Sequence, residues 1–215
     1  NCWIQHNYDE ITKNIAEKIS NLVKIPLENA ESYQIIYYDL NGQYKQHYDG
    51  WLFDNSEKSL RNMKYGGQRL ITALVYLNDV ESGGGTKFTK LNIEVNSEKG
   101  KLLIFENVHN GTNVRHELSE HAGMSVLKGD KWAFNLWFRE TDRRNLYDFN
   151  KEFVNPIINN LYDFNKEFVN PIINNLNHNI KNQHHNNEIK IYKKFLSNDE
   201  MLEIIINSNF EKKEK

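Results

Sequence analysis

The stretch NGQYKQHYDGW, residues 41–51, decides how this chain is read. Asn41-Gly42 is a turn signal, and the run behind it is rich in aromatic, strand-prone residues, so it reads as a β-strand entered from a tight turn. In a strand, residues i and i+2 project from the same face, which sets His47 and Asp49 side by side while Tyr48 points away. That is half of a metal site. Taken alone, the same residues also suit a solvated edge strand with an ordinary histidine and aspartate, and a further ligand has to come from elsewhere in the chain.

Working outward, aromatic and β-branched runs recur from 32 to 139: SYQIIYYDL, QYKQHYD, RLITALVYL, TKFTKL, KLLIFEN, GMSVL and KWAFNLWF. Turn formers such as Gly83-Gly84-Gly85 and Lys128-Gly129-Asp130 separate them, and a regular succession of short strands predicts a sandwich or barrel. Ahead of the strands, Ile11, Ile15, Ile19, Leu22 and Val23 fall at helical spacing within residues 8–23, and Pro26 supplies the stop. The class is therefore mainly β with flanking helices. After Arg139 the texture changes. NLYDFNKEFVNPIIN at 145–159 is repeated verbatim at 160–174, which predicts duplicated helical segments with Asn155-Pro156 and Asn170-Pro171 as cap and first turn. The polar, low-complexity run 175–188 then reads as a linker, and His184-His185 within it as solvated. Three parts follow: 1–142, the strand-rich unit; 143–187, duplication and linker; and 188–215, a strand and an amphipathic helix.

A chain of 215 residues is long enough to bury a sizeable core without a metal to hold it together. The formal charge of -2, with both signs interspersed, gives no electropositive field for a phosphate backbone, so nucleic acid is not expected as a partner. A single cysteine, Cys2, rules out an internal disulfide framework and a Cys-rich zinc module. No apolar run reaches the length of a membrane span, and NCWIQHNYDE lacks the layout of a secretory signal, so the chain reads as soluble with its compartment open. Abundant Asn, Ile and Lys reflect an AT-rich coding bias, which suits a large DNA virus or an AT-rich protist.

Three histidines downstream offer the missing ligand: His109, His116 and His121. Only His121 stands in HAGMSVLKGDKWAFNLWF, where a small-residue turn follows the histidine and Lys131 comes ten residues later at the head of an aromatic strand. Two histidines and one carboxylate with open positions make the facial triad of non-haem ferrous oxygenases, whose metal must also hold a co-substrate and dioxygen. A buried lysine beside it suits the distal carboxylate of that co-substrate.

Over residues 2–139 the sequence resembles the catalytic domain of the prolyl 4-hydroxylases, members of the iron(II) and 2-oxoglutarate dependent dioxygenases. The stretches that carry the resemblance are YYDLNGQYKQHYDGW, GGQRLITALVYLNDVESGGGTKF, KGKLLIFEN and HAGMSVLKGDKWAFNLWFRE. It implies a double-stranded β-helix, or jelly roll. It implies His47, Asp49 and His121 as iron ligands and Lys131 as partner of the 2-oxoglutarate C5 carboxylate, helped by Tyr38 and Thr86. Tyr44, Arg69 and Trp137 fall at positions lining a peptide groove, and Arg139 at a groove position that varies in type. By residue type alone, Tyr38 and Trp137 also suit core aromatics and Arg69 a surface charge. The implied reaction is hydroxylation of peptidyl proline at C4 with Fe(II), dioxygen and 2-oxoglutarate, which leaves as succinate and carbon dioxide, with ascorbate as an auxiliary. The implied partner is a proline-containing peptide or collagen-like protein, whose polyproline II shape loses little entropy on docking. The stretch GGGT at 83–86 lacks the acidic residue that often precedes the threonine in this family.

Two further classes compete: a 2-oxoglutarate oxygenase acting on a non-prolyl substrate, and an inactive metal-binding interaction module in which the same three ligands would hold zinc. Lys131 separates the last from the others, because a zinc scaffold has no use for an anchor of that kind. The tail, EIKIYKKFLSNDEMLEIIINSNFEKKEK at 188–215, resembles the strand and helix that open a prolyl 4-hydroxylase domain. Permutation, the start of a tandem domain, or an altered chain order would each put it there. The strand is expected to pair with the sheet that carries the iron site, in the same chain or by exchange in a neighbour.

Overall fold

The computed structural model describes residues 1–154 and 189–207. In chain order the elements are β1 (Cys2–Ile4), α1 (Glu10–Val23), β2 (Tyr33–Tyr38), β3 (Tyr44–His47), α2 (Glu57–Met63), β4 (Arg69–Tyr76) and β5 (Ser82–Gly83). There follow β6 (Thr86–Phe88), β7 (Ile93–Val95), β8 (Leu102–Glu106), β9 (His121–Gly123), β10 (Val126–Lys128) and β11 (Lys131–Arg139). The strand β12 (Ile189–Tyr192) and the helix α3 (Asn198–Asn207) come last.

The strands form a six-stranded sheet in the order β1-β2-β11-β4-β8-β12, a four-stranded sheet in the order β3-β9-β6-β7, and the pair β10-β5. Every described pairing is antiparallel. The strand alternation decides which face each side chain joins. On β4, Ile71, Ala73 and Val75 pack with Ile15 and Ile19 of α1, while Leu74 and Tyr76 pack with Phe88 and Val95 of the smaller sheet. On β8 and β11 the same split separates Leu102, Ile104, Phe134 and Leu136 from Leu103, Phe105 and Ala133. The large sheet thus has helices on one face and the small sheet on the other. Burial on both faces is why these strands read as nearly unbroken apolar runs. Two facing antiparallel sheets of this kind are a jelly roll.

Helix α1 begins in a reciprocal cap: the Thr12 amide donates to Asp9 Oδ1 at 2.7 Å and the Asp9 amide to Thr12 Oγ1 at 3.0 Å. It ends at Lys24, whose φ of 58° is left-handed, two residues before Pro26.

Two expectations need revision. The first copy of the repeated segment is not helical where described. Gly66 donates to the Asn145 carbonyl and Tyr147 to the Lys64 carbonyl, so its backbone bonds go to the loop after α2 instead of to its own next turn. The Tyr147 ring sits against Gly67, and its hydroxyl donates to Glu140 at 2.8 Å. The Pro-containing pairs, the second copy, the linker and His184-His185 lie outside the described residues. The tail strand β12 does pair within the same chain, Ile189 opposite Phe105 and Tyr192 opposite Leu102. It joins the large sheet, whereas His47 and His121 belong to the small one. Behind it α3 buries Met201 and Ile204 in the core shared with α1, and Lys18 donates to Glu200 at 2.6 Å.

Candidate active site

His47 ends β3 and pairs in register with His121 at the head of β9, their ring centroids 4.4 Å apart. Asp49 lies beyond the end of β3, in a bend, so the chain's turn and not the pleat of a strand brings it back to His47. The Asp49 Oδ1 atom is 3.6 Å from His47 Nε2, and Oδ2 is 3.7 Å from His121 Nε2. Ligand atoms of the three residues all fall within 4.8 Å of one another. Each imidazole donates its Nδ1–H to a main-chain carbonyl, His47 to Lys45 at 2.8 Å and His121 to Ser119 at 2.9 Å. With that tautomer fixed, both Nε2 lone pairs are free for a metal.

Burial alone would raise the Asp49 carboxyl, yet the imidazoles beside it and the Arg69 guanidinium more than offset this and hold it far below the usual carboxylate range. Burial pushes His121 down, toward the neutral imidazole. An ionised carboxylate beside an imidazole biased toward its neutral form suits a metal. Two nitrogens and one oxygen fit a ferrous site of the facial-triad type.

These side chains line one cavity of about 790 Å³, and Lys131, Tyr38 and Thr86 line it too. Lys131 is 1% exposed, and its ammonium pairs with no carboxylate among the described residues. It sits over the rings of Tyr76 at 5.2 Å and Tyr38 at 5.8 Å, and burial pushes it down to about 8. The Tyr76 hydroxyl donates to Thr86 Oγ1 at 2.7 Å, which leaves the Thr86 proton for another acceptor. The missing acidic neighbour at 83–85 therefore does not remove Thr86 from the cavity.

Tyr44, Arg69 and Trp137 also line the cavity, with the Tyr44 ring 4.0 Å from His47. Arg139 does not. Its Nε donates to Glu31 at 2.6 Å and its Nη1 to the carbonyls of Asn62 and Gly67, at 2.9 and 2.8 Å. Arg69 shares that carboxylate through Nε and Nη2, at 2.6 and 2.8 Å, and lies 3.7 Å over the Trp137 ring. Burial would raise Glu31, but the two guanidinium groups hold it low. The Trp137 indole in turn donates to Asp49 Oδ2 at 2.8 Å.

Glu31, Thr72 and Asn107 were not singled out from the sequence. Thr72 carried a signal, being a polar residue at an inner-face position of RLITALVYL; Glu31 and Asn107 sit where no periodicity marks them. The other two histidines form a separate group. His109 and His116 stack at 4.1 Å beside Glu117, but His116 Nδ1 accepts from the Leu118 amide at 3.0 Å, so that nitrogen caps a short 3-10 turn.

The family model of the 2OG-Fe(II) oxygenase superfamily matches residues 33–139. A putative prolyl 4-hydroxylase of Acanthamoeba polyphaga mimivirus is 40% identical over 138 residues, 64% of this chain and 56% of that protein. Prolyl 4-hydroxylase 5 of Arabidopsis thaliana is 32% identical over 155 residues, 63% of this chain and 51% of that protein. The chain thus spans about half the length of these curated relatives. Among solved structures, a viral collagen prolyl hydroxylase from Paramecium Bursaria Chlorella virus-1, in complex with 2OG, superposes with a TM-score of 0.56 at 29% identity, covering 64% of this chain and 76% of that one. With the two facing sheets and the His-Asp-His cluster between them, these matches mean that the chain belongs to the 2OG-Fe(II) oxygenase superfamily.

Proposed function

We propose that this chain hydroxylates peptidyl proline at C4, using Fe(II), dioxygen and 2-oxoglutarate, with ascorbate as an auxiliary. The observation that carries the proposal is a single cavity with a His-Asp-His cluster and, lining the same space, a buried lysine that pairs with no carboxylate. In this reading His47, Asp49 and His121 hold the iron, which when bound supplies the dioxygen chemistry coupled to oxidative decarboxylation of 2-oxoglutarate. Lys131 pairs with the distal carboxylate of the co-substrate, the Thr86 hydroxyl donates to it, and Tyr38 closes the same end. The apolar inner face around Leu74 and Ile36 keeps water from that end of the cavity.

Tyr44, Trp51 and Trp137 give the cavity an aromatic wall, which suits a polyproline II segment. Arg69 spends Nε and Nη2 on Glu31, leaving Nη1 without a partner among the described residues and available to a peptide carbonyl. The groove role expected of Arg139 is better taken as support of Glu31. The catalytic unit in this reading comprises residues 1–142 together with 189–207. Among the described residues no helix is long and apolar enough to cross a membrane.

The test is succinate formation with ferrous iron and 2-oxoglutarate, with and without a panel of proline-rich peptides and their alanine counterparts. Turnover stimulated by the proline peptides alone is expected. Turnover indifferent to every peptide would defeat the prolyl assignment.

A further inference from the structure

The Asp49 carboxylate is gripped from the opposite sheet. Its Oδ2 atom accepts from Thr72 Oγ1 at 2.7 Å and from Trp137 Nε1 at 2.8 Å. Thr72 on β4 and Trp137 on β11 are cross-strand partners in the large sheet, so one rung of that ladder supplies both donors. A carboxylate oxygen has two lone pairs in its plane, and these two bonds occupy both. Only Oδ1, which faces His47 Nε2, is left to bind a metal.

Behind Thr72 stands Asn107. Its Nδ2 donates to Thr72 Oγ1 at 2.9 Å, and both groups are buried. The threonine has one proton. Because its oxygen accepts from Asn107, that proton goes to Asp49, and the chain of bonds runs in one direction, each polarising the next. Asn107 is itself fixed by its backbone, the amide donating to the Leu70 carbonyl at 2.8 Å and the carbonyl accepting from His116 at 2.9 Å. It also seats the corner after the aspartate: a Cβ on Gly50 would come within 3.1 Å of the Asn107 carbonyl oxygen and 3.3 Å of its Cβ.

We infer that Thr72, backed by Asn107, is a positioning residue that holds Asp49 as a one-oxygen ligand and so fixes the geometry of the metal site. The inference rests on the metal-site reading above. Neither residue touches the metal position, and a valine at 72 would keep the shape while removing the proton.

The experiment uses the full chain, stripped of metal and titrated with Co(II), whose visible spectrum reports ligand number and geometry. Thr72→Val is expected to lower Co(II) affinity roughly 10–100-fold, the usual cost of losing such a partner, and to alter the spectrum. Thr72→Ser, which restores the donor, is expected to return both toward the wild type. Should the valine variant fail to fold, Thr72→Ala carries the same expectation. Wild-type affinity and spectrum in a folded Thr72→Val, with binding abolished in His47→Ala, would overturn the positioning role alone. Unchanged Co(II) binding in His47→Ala would instead bring down the metal-site reading, and the inference with it.

Discussion

Replacing Lys131 by methionine should make the metal-free, co-substrate-free protein more stable at neutral pH. Lys131 is buried and burial alone pushes it down to about 8, from an ordinary 10.5. A gap of that size corresponds to about 3 kcal/mol against folding with the lysine charged. Contacts with the Tyr76 and Tyr38 rings recover about 1 kcal/mol, so a net gain of about 2 kcal/mol is expected from methionine, which matches lysine in length. The sign follows from proton binding. Between about 8 and 10.5 the unfolded chain binds the proton and the folded one does not, so the penalty is full below pH 8 and fades as the pH rises toward 10.5. Thermal unfolding at pH 7 should therefore show the variant melting about 6 °C higher, with the difference mostly gone by about pH 10. The same variant should need roughly 10–100-fold more 2-oxoglutarate, since a charge-assisted bond is lost. A variant no more stable than wild type at pH 7, or one whose advantage does not shrink with pH, would refute the reasoning that an unpaired buried cation waits there for an anion.

Other outcomes follow from the same structure. His47→Ala, Asp49→Ala and His121→Ala should each abolish iron-dependent turnover, whereas His116→Ala should keep it while losing about 1 kcal/mol of stability with its cap on Leu118; turnover assays and chemical denaturation separate the two groups. Glu31→Gln should destabilise by roughly 3–5 kcal/mol, because Arg69 and Arg139 would be left without their shared carboxylate. Since Glu31 is held low in the folded protein, its contribution is present above about 4.5 and lost as the pH falls through the folded value, which an acid-unfolding titration of wild type and variant would display. Removing residues 188–215 should strip Met201, Ile204 and Leu196 from the core and lower the melting temperature by roughly 10 °C or more, measured by calorimetry.

The strands legible in the sequence were those whose own residues carry the pattern. RLITALVYL and KWAFNLWF are buried on both faces, so their apolar runs survive any register. The spacing of His47 and Asp49 points to two side chains that do meet in one cluster, but not by the geometry it assumes, as the strand stops at the histidine and a bend brings the aspartate back. Short strands such as β5 and β7 escaped notice because two or three residues hold no periodicity and owe their shape to partners distant in the chain. The same holds for Glu31, whose importance comes from two arginines more than thirty residues away. NLYDF departs from the helical expectation for a related reason: the repeat and its Asn-Pro pairs say nothing of the loop after α2, which takes the backbone bonds of Asn145 and Tyr147.

The placement of β12 bears on how the molecule assembles. Its partner Phe105 stacks edge-on against His121 at 4.7 Å, so the last described strand buttresses a residue of the cavity that it never touches. The middle strands β2, β11 and β4 pair among themselves without it. Closing so long a span of chain is entropically slow, and contacts of high sequence separation form late. The middle of the sheet is then expected to form first, leaving β8 briefly as a bare edge that any extended strand, including one from another copy, could occupy. Correct maturation becomes a race between the chain's own tail and its neighbours, won at low protein concentration and lost at high.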